Sequence, residues 1–237
     1  MTTGFVPADP RVLSTSRAAT GRNLAGLLSR MWRLRVTGGH HLPTEGPLIL
    51  AANHTALLDG LVLAAASHRP VHVLAKRELF VPPLDRLLRA TAVIPIDYAT
   101  TDRTALRTAR CVLDDGGVVG IFPEMHRGSG DVRHVRHGAA YLQAHTRATV
   151  VPVAILGARP PGAGKDAIPR LRSTIDVVFG APVDIHVEGD PDRRALVARS
   201  GERLRQLLSD HVLAAGARTG QTLPGPLPEA HQTRSTT

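Results

Sequence analysis

The chain has 237 residues, of which 43% are hydrophobic and only 3% aromatic, so one domain with appendages is expected and its core must be built from Leu, Val, Ile and Ala. The excess of 29 Lys and Arg over 20 Asp and Glu favours anionic partners, while the shortage of aromatic rings disfavours recognition of single-stranded nucleic acid by base stacking. The single cysteine, Cys111, excludes an internal disulfide, and no uncharged apolar stretch reaches the roughly 18 residues that a bilayer crossing needs. Any membrane contact should therefore be peripheral.

The N-terminal segment, residues 1–35, is predicted to contain a basic amphipathic helix over residues 22–35. The apolar stripe of this helix is formed by Leu24, Leu27, Leu28 and Met31. Arg side chains fall mostly on the opposite side, and Trp32 lies at the edge of the stripe. A helix of this kind can lie in a membrane interface, and it can equally pack on the body of the protein. The pattern leaves both interpretations open.

The middle of the chain alternates strand-like apolar runs with helical patterns. The apolar runs span residues 34–36, 48–52, 71–75, 92–96, 117–122, 149–156 and 174–179. The helical patterns span residues 55–67, 83–90, 102–114, 136–146 and 191–215. This alternation predicts an α/β fold in which a mostly parallel or mixed sheet of about seven strands is flanked by helices. Pro95 and Pro152 lie inside two of the runs and indicate sheet edges or bulges.

The end of the chain, residues 216–237, has a low-complexity composition and is predicted to be a disordered tail. We therefore expect three parts: the N-terminal amphipathic segment, an α/β domain over residues 36–215, and this tail. No internal repeat is visible.

The stretch ILAANHTALLDG, residues 49–60, places His54 and Asp59 across a predicted strand-to-helix junction. In an ideal helix, side chains five positions apart point roughly 140° away from each other. If His54 stays in the loop and Asp59 lies in the first helical turns, the carboxylate can reach the imidazole, orient it, and leave its other nitrogen free to take a proton. The alternative is that Asn53 or Thr55 caps the helix and His54 is incidental.

Two more polar groups follow predicted strands. GIFPEMHRG, residues 120–128, contains Glu124 and Arg127, and AKREL, residues 75–79, contains Lys76. Each group alone is an ordinary strand exit with solvated charges. Because ligands bind at the carboxyl ends of strands in open α/β sheets, the three groups together predict one basic pocket that contains a His–Asp pair.

A metal site is a weaker hypothesis. His134 and His137 are three positions apart, with His126 upstream, and three imidazoles can bind zinc. No carboxylate or Cys stands at a helpful spacing, and Arg133 and Arg136 flank the pair. We expect no metal and no cofactor.

Four blocks of the chain resemble the glycerolipid acyltransferases typified by 1-acylglycerol-3-phosphate acyltransferase. The family pattern is Asn-His followed by Asp five positions after the His, then Lys-x-Glu-Leu, then Phe-Pro-Glu with an Arg three positions later, then Val-Pro-Val. The matching residues are Asn53, His54, Asp59, Lys76, Glu78, Leu79, Phe122, Pro123, Glu124, Arg127, Val151, Pro152 and Val153. Order and spacing agree over residues 45–160. Four blocks in register are far more specific than the His–Asp spacing alone.

The resemblance implies transfer of a fatty acyl group from a thioester, with acyl-CoA or acyl carrier protein as co-substrate, to a hydroxyl of a lysophospholipid such as 1-acylglycerol-3-phosphate. It implies that His54 deprotonates the hydroxyl, that Asp59 holds His54, that Glu124 contacts the acceptor, and that Lys76 and Arg127 bind its phosphate. It also implies an α/β sheet with an amphipathic N-terminal element. The resemblance further implies a role in phospholipid biosynthesis, as a peripheral protein on the anionic cytoplasmic face of a membrane.

Several residues depart from the family pattern and leave the acceptor open. The family usually has Gly and then a small residue after Phe-Pro-Glu, where this chain has Met125 and His126. An Arg that the family often places after the strand at 92–96 is replaced by Tyr98, and Arg103 is a candidate to bind phosphate in its place.

Three alternative functions follow. The first is acylation of another lipid hydroxyl, on a different lysophospholipid or an amino-acid lipid. The second is a non-catalytic binder of phospholipid or acyl-CoA, in which Met125 and His126 close the acceptor side. The third, nucleic-acid binding, is suggested by charge alone, because the Arg residues are scattered and no recognised motif is present. We expect no nucleic-acid partner.

Overall fold

The computed structural model of the chain describes residues 15–82, 84–97, 99, 102–187 and 192–228. The strands are β1 (Arg33–Thr37), β2 (Leu48–Ala52), β3 (Val71–Lys76), β4 (Ile94–Ile96), β5 (Val118–Ile121), β6 (Thr149–Leu156) and β7 (Thr174–Phe179). The helices are α1 (Thr15–Ser29), α2 (Asp59–Ala66), α3 (Leu84–Ala90), α4 (Arg103–Asp114), α5 (Gly138–Thr146) and α6 (Arg193–Thr219).

The strands form one mixed sheet with the order β1-β7-β6-β2-β5-β3-β4. The five strands from β6 to β4 are mutually parallel, β7 is antiparallel to β6, and β1 is parallel to β7. Helices cover both faces, so β2 is buried along its whole length. Its side chains alternate: Leu48 and Leu50 join the core beneath α2, while Ile49 and Ala51 join the core beneath α4 and α5. The predicted α/β fold is confirmed.

The two prolines inside strands are accommodated in different ways. Pro95 lies in β4, which is an edge strand, as its missing N–H predicts. Pro152 lies in the interior strand β6, one residue before the β6–β7 pairing begins at Val153 and Phe179. Because β7 ends opposite Val153, the missing N–H of Pro152 does not interrupt the β6–β7 pairing. The carbonyl of Pro152 still accepts the N–H of Gly180 at 2.8 Å.

The N-terminal helix differs from its prediction. It ends at Ser29, so the predicted helix is too long at its C-terminal end; residues 33–35 belong to β1, as the apolar run at 34–36 predicts, and the boundary expected at residue 35 falls inside that strand. Helix α1 packs against α2, and the buried residues along it are small: Ala18, Gly21, Ala25 and Ser29. At Gly21 a Cβ would stand 2.7 Å from the carbonyl oxygen of Thr91, so only glycine permits this approach.

The residues of the predicted apolar stripe do not share one environment. Leu27 and Met31 are 57% and 46% exposed, while Trp32 is buried and donates its Nε1–H to the carbonyl of Pro169 at 3.0 Å. Trp32 therefore anchors the end of α1 to the loop between β6 and β7. No helix in the described part of the chain has the length and apolarity that a bilayer crossing requires.

The C-terminal segment is more ordered than predicted. Helix α6 continues to Thr219, beyond the expected end at 215, and Gly220 closes it with a φ of 72°. Gln221 then bonds Asp176 of β7 at 3.1 Å, and Leu223 packs against a core cluster. Contrary to the prediction of a disordered tail from residue 216, these residues are part of the packed body, because side chains far away in the sequence hold them. Residues 229–237 lie outside the described residues.

Candidate active site

The three predicted polar groups meet at one edge of the sheet. Strands β2, β5 and β3 are adjacent and parallel, so the loops that follow them emerge side by side. A cavity of about 140 Å³ opens there, and His54, Lys76 and Arg127 line it, one from each loop. The expected convergence at the carboxyl edge is therefore present.

His54 and Asp59 are in direct contact. Helix α2 begins only at Asp59, so residues 53–58 form a loop that turns His54 back toward the carboxylate. The fully buried Asp59 accepts three hydrogen bonds on Oδ2: from His54 Nδ1 at 2.9 Å and from the backbone N–H groups of Thr55 and Ala56 at 2.7 and 2.8 Å. A carboxylate only accepts hydrogen bonds, so in the neutral imidazole Nδ1 carries the proton and Nε2 has the lone pair.

The loop that carries His54 is held on several sides. The backbone N–H of His54 donates to Oε1 of Glu124 at 2.8 Å, and the carbonyl of His54 accepts from the N–H of Gly128 at 3.0 Å. The imidazole stacks on the ring of Phe122 with centroids 4.4 Å apart, and 19% of the His54 side chain remains exposed. The ring is therefore fixed in place yet reachable from the cavity.

Asn53 has a structural role that the sequence did not reveal. Its buried side chain donates to the carbonyl of Ile155 at 3.1 Å and accepts the N–H of the same residue at 2.7 Å. The amide thus imitates one more residue of strand pairing between β2 and β6, at the point where β2 must end to release His54. The helix cap considered for Asn53 is not what the structure shows, because the residue before α2 is Leu58.

Glu124 lies beside the His–Asp pair, and burial raises its pKa to about 7. Hydrogen bonds from the backbone of His54 and Val132 oppose this shift, while the charges of Asp131 and Asp59 add to it. The contact that the structure gives Glu124 positions the His54 loop. Its predicted contact with an acceptor stays a prediction.

The cations of the cavity differ in their availability. Arg127 is paired with Asp166 at 2.8 Å and donates to the carbonyl of Lys165 at 3.2 Å, so part of its charge is already compensated. Lys76 and Lys165 both line the cavity, and no ion pair of either ammonium group is found within the described residues. Burial first, and then the charge of Lys76, lower the pKa of His126, which lines the same cavity. Lys165 was missed because it lies on the loop over residues 157–173, far from every motif.

Arg103 belongs to a neighbouring cavity of about 420 Å³, which is also lined by Arg107 and Arg136. The structure therefore does not place Arg103 among the residues that line the His54 cavity. Arg103 was expected to take the role of the Arg that the family often has where this chain has Tyr98. Tyr98 itself lies outside the described residues. In the described part of the chain, no group of three or more His, Cys, Asp and Glu side chains is arranged to hold a metal ion.

This geometry, on this fold, defines a class: α/β proteins whose sheet edge presents an oriented imidazole, able to take a proton from a hydroxyl held beside cations. Residues 33–156, more than half of the chain, match the family described as Acyltransferase. The chain belongs to this acyltransferase family, as its four motifs predict.

Relatives and solved structures agree with the family. The 1-acyl-sn-glycerol-3-phosphate acyltransferase of Bacillus subtilis is 25% identical over 187 residues, which cover 76% of this chain and 91% of that protein. The enzyme of the same name from Borreliella burgdorferi is 28% identical over 127 residues, covering 52% of this chain and 51% of the relative. The crystal structure of the 1-acyl-sn-glycerophosphate acyltransferase of Thermotoga maritima has the same fold, with a TM-score of 0.60 and 20% identity over 87% of this chain and 84% of that one.

Proposed function

We propose that the protein moves a fatty acyl group from a thioester donor, acyl-CoA or acyl carrier protein, to a hydroxyl of a lysophospholipid, most readily 1-acylglycerol-3-phosphate. The observation that carries this proposal is the 2.9 Å contact between His54 Nδ1 and Asp59 Oδ2, which directs Nε2 to act as a base at a cationic cavity. The names of the relatives support the choice of acceptor.

The chemistry follows from the orientation of the imidazole. His54 Nε2 takes the proton of the acceptor hydroxyl as the oxygen attacks the thioester carbonyl. The tetrahedral intermediate then collapses: the carbon–sulfur bond breaks, and the imidazolium returns its proton to the departing sulfur. Asp59 stabilises the imidazolium between these two steps. The products are an ester and a free thiol, and no acyl-enzyme is needed.

We expect the phosphate of the acceptor to bind to cations near His54. Lys76 at the end of β3 and Lys165 on the 157–173 loop can hold it as point charges, while Arg127 fastens that loop through Asp166. Lys76→Ala should therefore raise KM for a phosphorylated acceptor more than it lowers kcat. An equal rise in KM for an acceptor without phosphate would show that Lys76 does not bind the phosphate.

An anionic membrane surface is the proposed setting. Exposed apolar side chains lie at the end of α1 and on the 157–173 loop: Leu27, Met31, Ile168 and Leu171. The two segments are joined by Trp32 Nε1–Pro169 O and by Arg172 N–Met31 O, and exposed Arg side chains stand among them, which are Arg30, Arg170 and Arg172. Apolar groups flanked by cations favour binding to anionic lipid.

Co-sedimentation with vesicles of an anionic phospholipid tests this surface. Leu27→Ser should weaken binding, while Leu213→Ser, an equally exposed leucine on α6, should not. Equal binding of both variants would place the contact elsewhere. The cytoplasmic face stays a prediction.

The decisive test of the chemistry is His54→Ala. Purified protein is given a long-chain acyl-CoA and a panel of lysolipids, with free thiol measured continuously and products identified by mass spectrometry. We expect turnover to fall to background in His54→Ala and to remain in His40→Ala, which removes an exposed imidazole elsewhere. A folded His54→Ala protein with undiminished turnover would refute the mechanism. A wild-type protein that binds acyl-CoA but never releases thiol would indicate the non-catalytic binder.

A further inference from the structure

Two cavities lie next to each other at the carboxyl edge of the sheet, and three residues line both of them. The smaller cavity contains His54, and the larger one, of about 420 Å³, lies among the ends of β3, β4 and β5 and helices α4, α5 and α6. The residues common to both are Leu74, Phe122 and Met125. These three side chains therefore form a shared wall.

Only one part of this wall can change without disturbing the core. Leu74 is a buried residue of β3, and Phe122 is 4% exposed and stacks on His54. Met125 is half-buried and lies in a turn beyond the end of β5. Its side chain is unbranched and flexible, so it can fill a gap or leave it by changing rotamer.

The backbone at Met125 is of the kind that glycine adopts most easily. Its φ is +64°, in the left-handed region that disfavours side chains. The turn is held by backbone bonds, from Met125 N–H to Phe122 O at 3.1 Å and from His126 N–H to Glu124 O at 2.8 Å. Neither bond involves the Met125 side chain. The local structure would therefore accept glycine, and what the methionine side chain adds is part of the wall between the two cavities.

The larger cavity has the chemistry of a hydrocarbon site. Much of its lining is apolar and comes from several strands and helices, with Ile96, Leu106, Ile121 and Val197 among the contributors. Charged side chains of both signs line the same cavity: Arg103, Arg107 and Arg136, and also Asp97 and Asp102, the last of which is paired with Arg77. Mostly apolar walls with a few polar groups suit a fatty acyl chain.

We propose that Met125 is a specificity-determining residue that divides the His54 cavity from the larger apolar cavity and so limits the length of fatty acyl chain that can extend between them. The proposal rests on the proposed acyl transfer, since it assumes that a thioester or lysolipid is bound at His54. The chain can belong to either substrate, and the experiment below separates the two sources.

The test measures binding rather than turnover. Two ligand series are titrated by calorimetry into wild-type protein, Met125→Gly and Met125→Ala: unreactive S-alkyl-CoA thioethers and 1-O-alkyl ethers of glycerol phosphate, each from butyl to hexadecyl and below micelle-forming concentrations. In the glycine variant, each methylene newly admitted to the apolar cavity should tighten binding roughly four-fold. A gain in the first series assigns the chain to the donor, and a gain in the second assigns it to the acceptor.

Two further variants control for other effects. Arg147→Gly changes another residue with a positive φ, +53° at the end of α5, and should leave the chain-length profile unchanged. Leu106→Trp fills the larger cavity from α4 and, combined with Met125→Gly, should remove the gain.

Length profiles that superimpose on the wild type in both series, for folded Met125→Gly protein, would overturn the proposal. So would a gain that Leu106→Trp does not reverse, since the chain would then lie elsewhere. Because the ligands cannot react, these results are independent of whether the wild-type protein releases thiol, which tests the proposed function separately.

Discussion

Asp59→Asn offers the sharpest test of how the His–Asp pair works, because the structure separates geometry from charge. All three hydrogen bonds to Asp59 end on Oδ2, and Oδ1 accepts none from the described residues. An asparagine can place its amide oxygen where Oδ2 lies and keep the three bonds. The proton then stays on His54 Nδ1, so the imidazole keeps its orientation and loses only the negative charge of the Asp59 carboxylate.

The size of the effect follows from the contact distance. With Nδ1 and Oδ2 2.9 Å apart, the centres of the two charged groups are about 4 Å apart, an attraction of roughly 4 kcal/mol at an effective dielectric constant near 20. This attraction stabilises the imidazolium that forms in the transition state, so its loss should lower kcat by up to about 1000-fold. The buried amide NH₂ left without a partner should also reduce the free energy of unfolding by about 1–3 kcal/mol.

The assay is thiol release at saturating substrate, with thermal denaturation to confirm folding. Asp176→Asn is the matched control, because it neutralises another buried carboxylate, paired with Arg35 on the far side of the sheet. We expect kcat to fall in Asp59→Asn and not in Asp176→Asn. A folded Asp59→Asn protein with kcat within a few-fold of the wild type would show that the carboxylate charge does not assist His54.

Two further predictions concern stability. The pKa of Glu124 is about 7 in the folded protein against an ordinary value of 4.5, so the folded state binds this proton more tightly and stability should fall by about 3 kcal/mol as pH rises between those values. The glutamine of Glu124→Gln does not titrate. The difference between the free energies of unfolding of this variant and the wild type, measured with denaturant, should therefore shift in favour of the variant from pH 5 to pH 7 and then stay constant; parallel pH profiles would contradict this. Asn53→Ala leaves the N–H and carbonyl of Ile155 buried without partners and should cost about 2–4 kcal/mol, whereas Asn23→Ala on the exposed face of α1 should cost almost nothing. Equal unfolding midpoints for the two alanine variants would show that Asn53 does not hold the strand end.

The local parts of the site could be predicted from the sequence. His54 and Asp59 are five residues apart, and the change from strand to helix between them is visible in the apolar pattern, so their contact depends on short-range geometry. The alternation of strands and helices likewise predicts the α/β class, because periodicity reflects which side of each element is buried. Lys76, Glu124 and Arg127 were predicted at the same edge because each follows a predicted strand, and the family motifs then implied their roles.

The tertiary structure alone decided how distant segments complete the site. Lys165 reaches the cavity on a loop without any motif, Asn53 pairs with Ile155 across 102 residues, and the C-terminal segment is held by Gln221 on β7. The place of Met125 between two cavities depends equally on strand order. Local patterns report whether a residue is buried, but not which distant residue it meets, because that is set by the packing of the whole sheet and its helices.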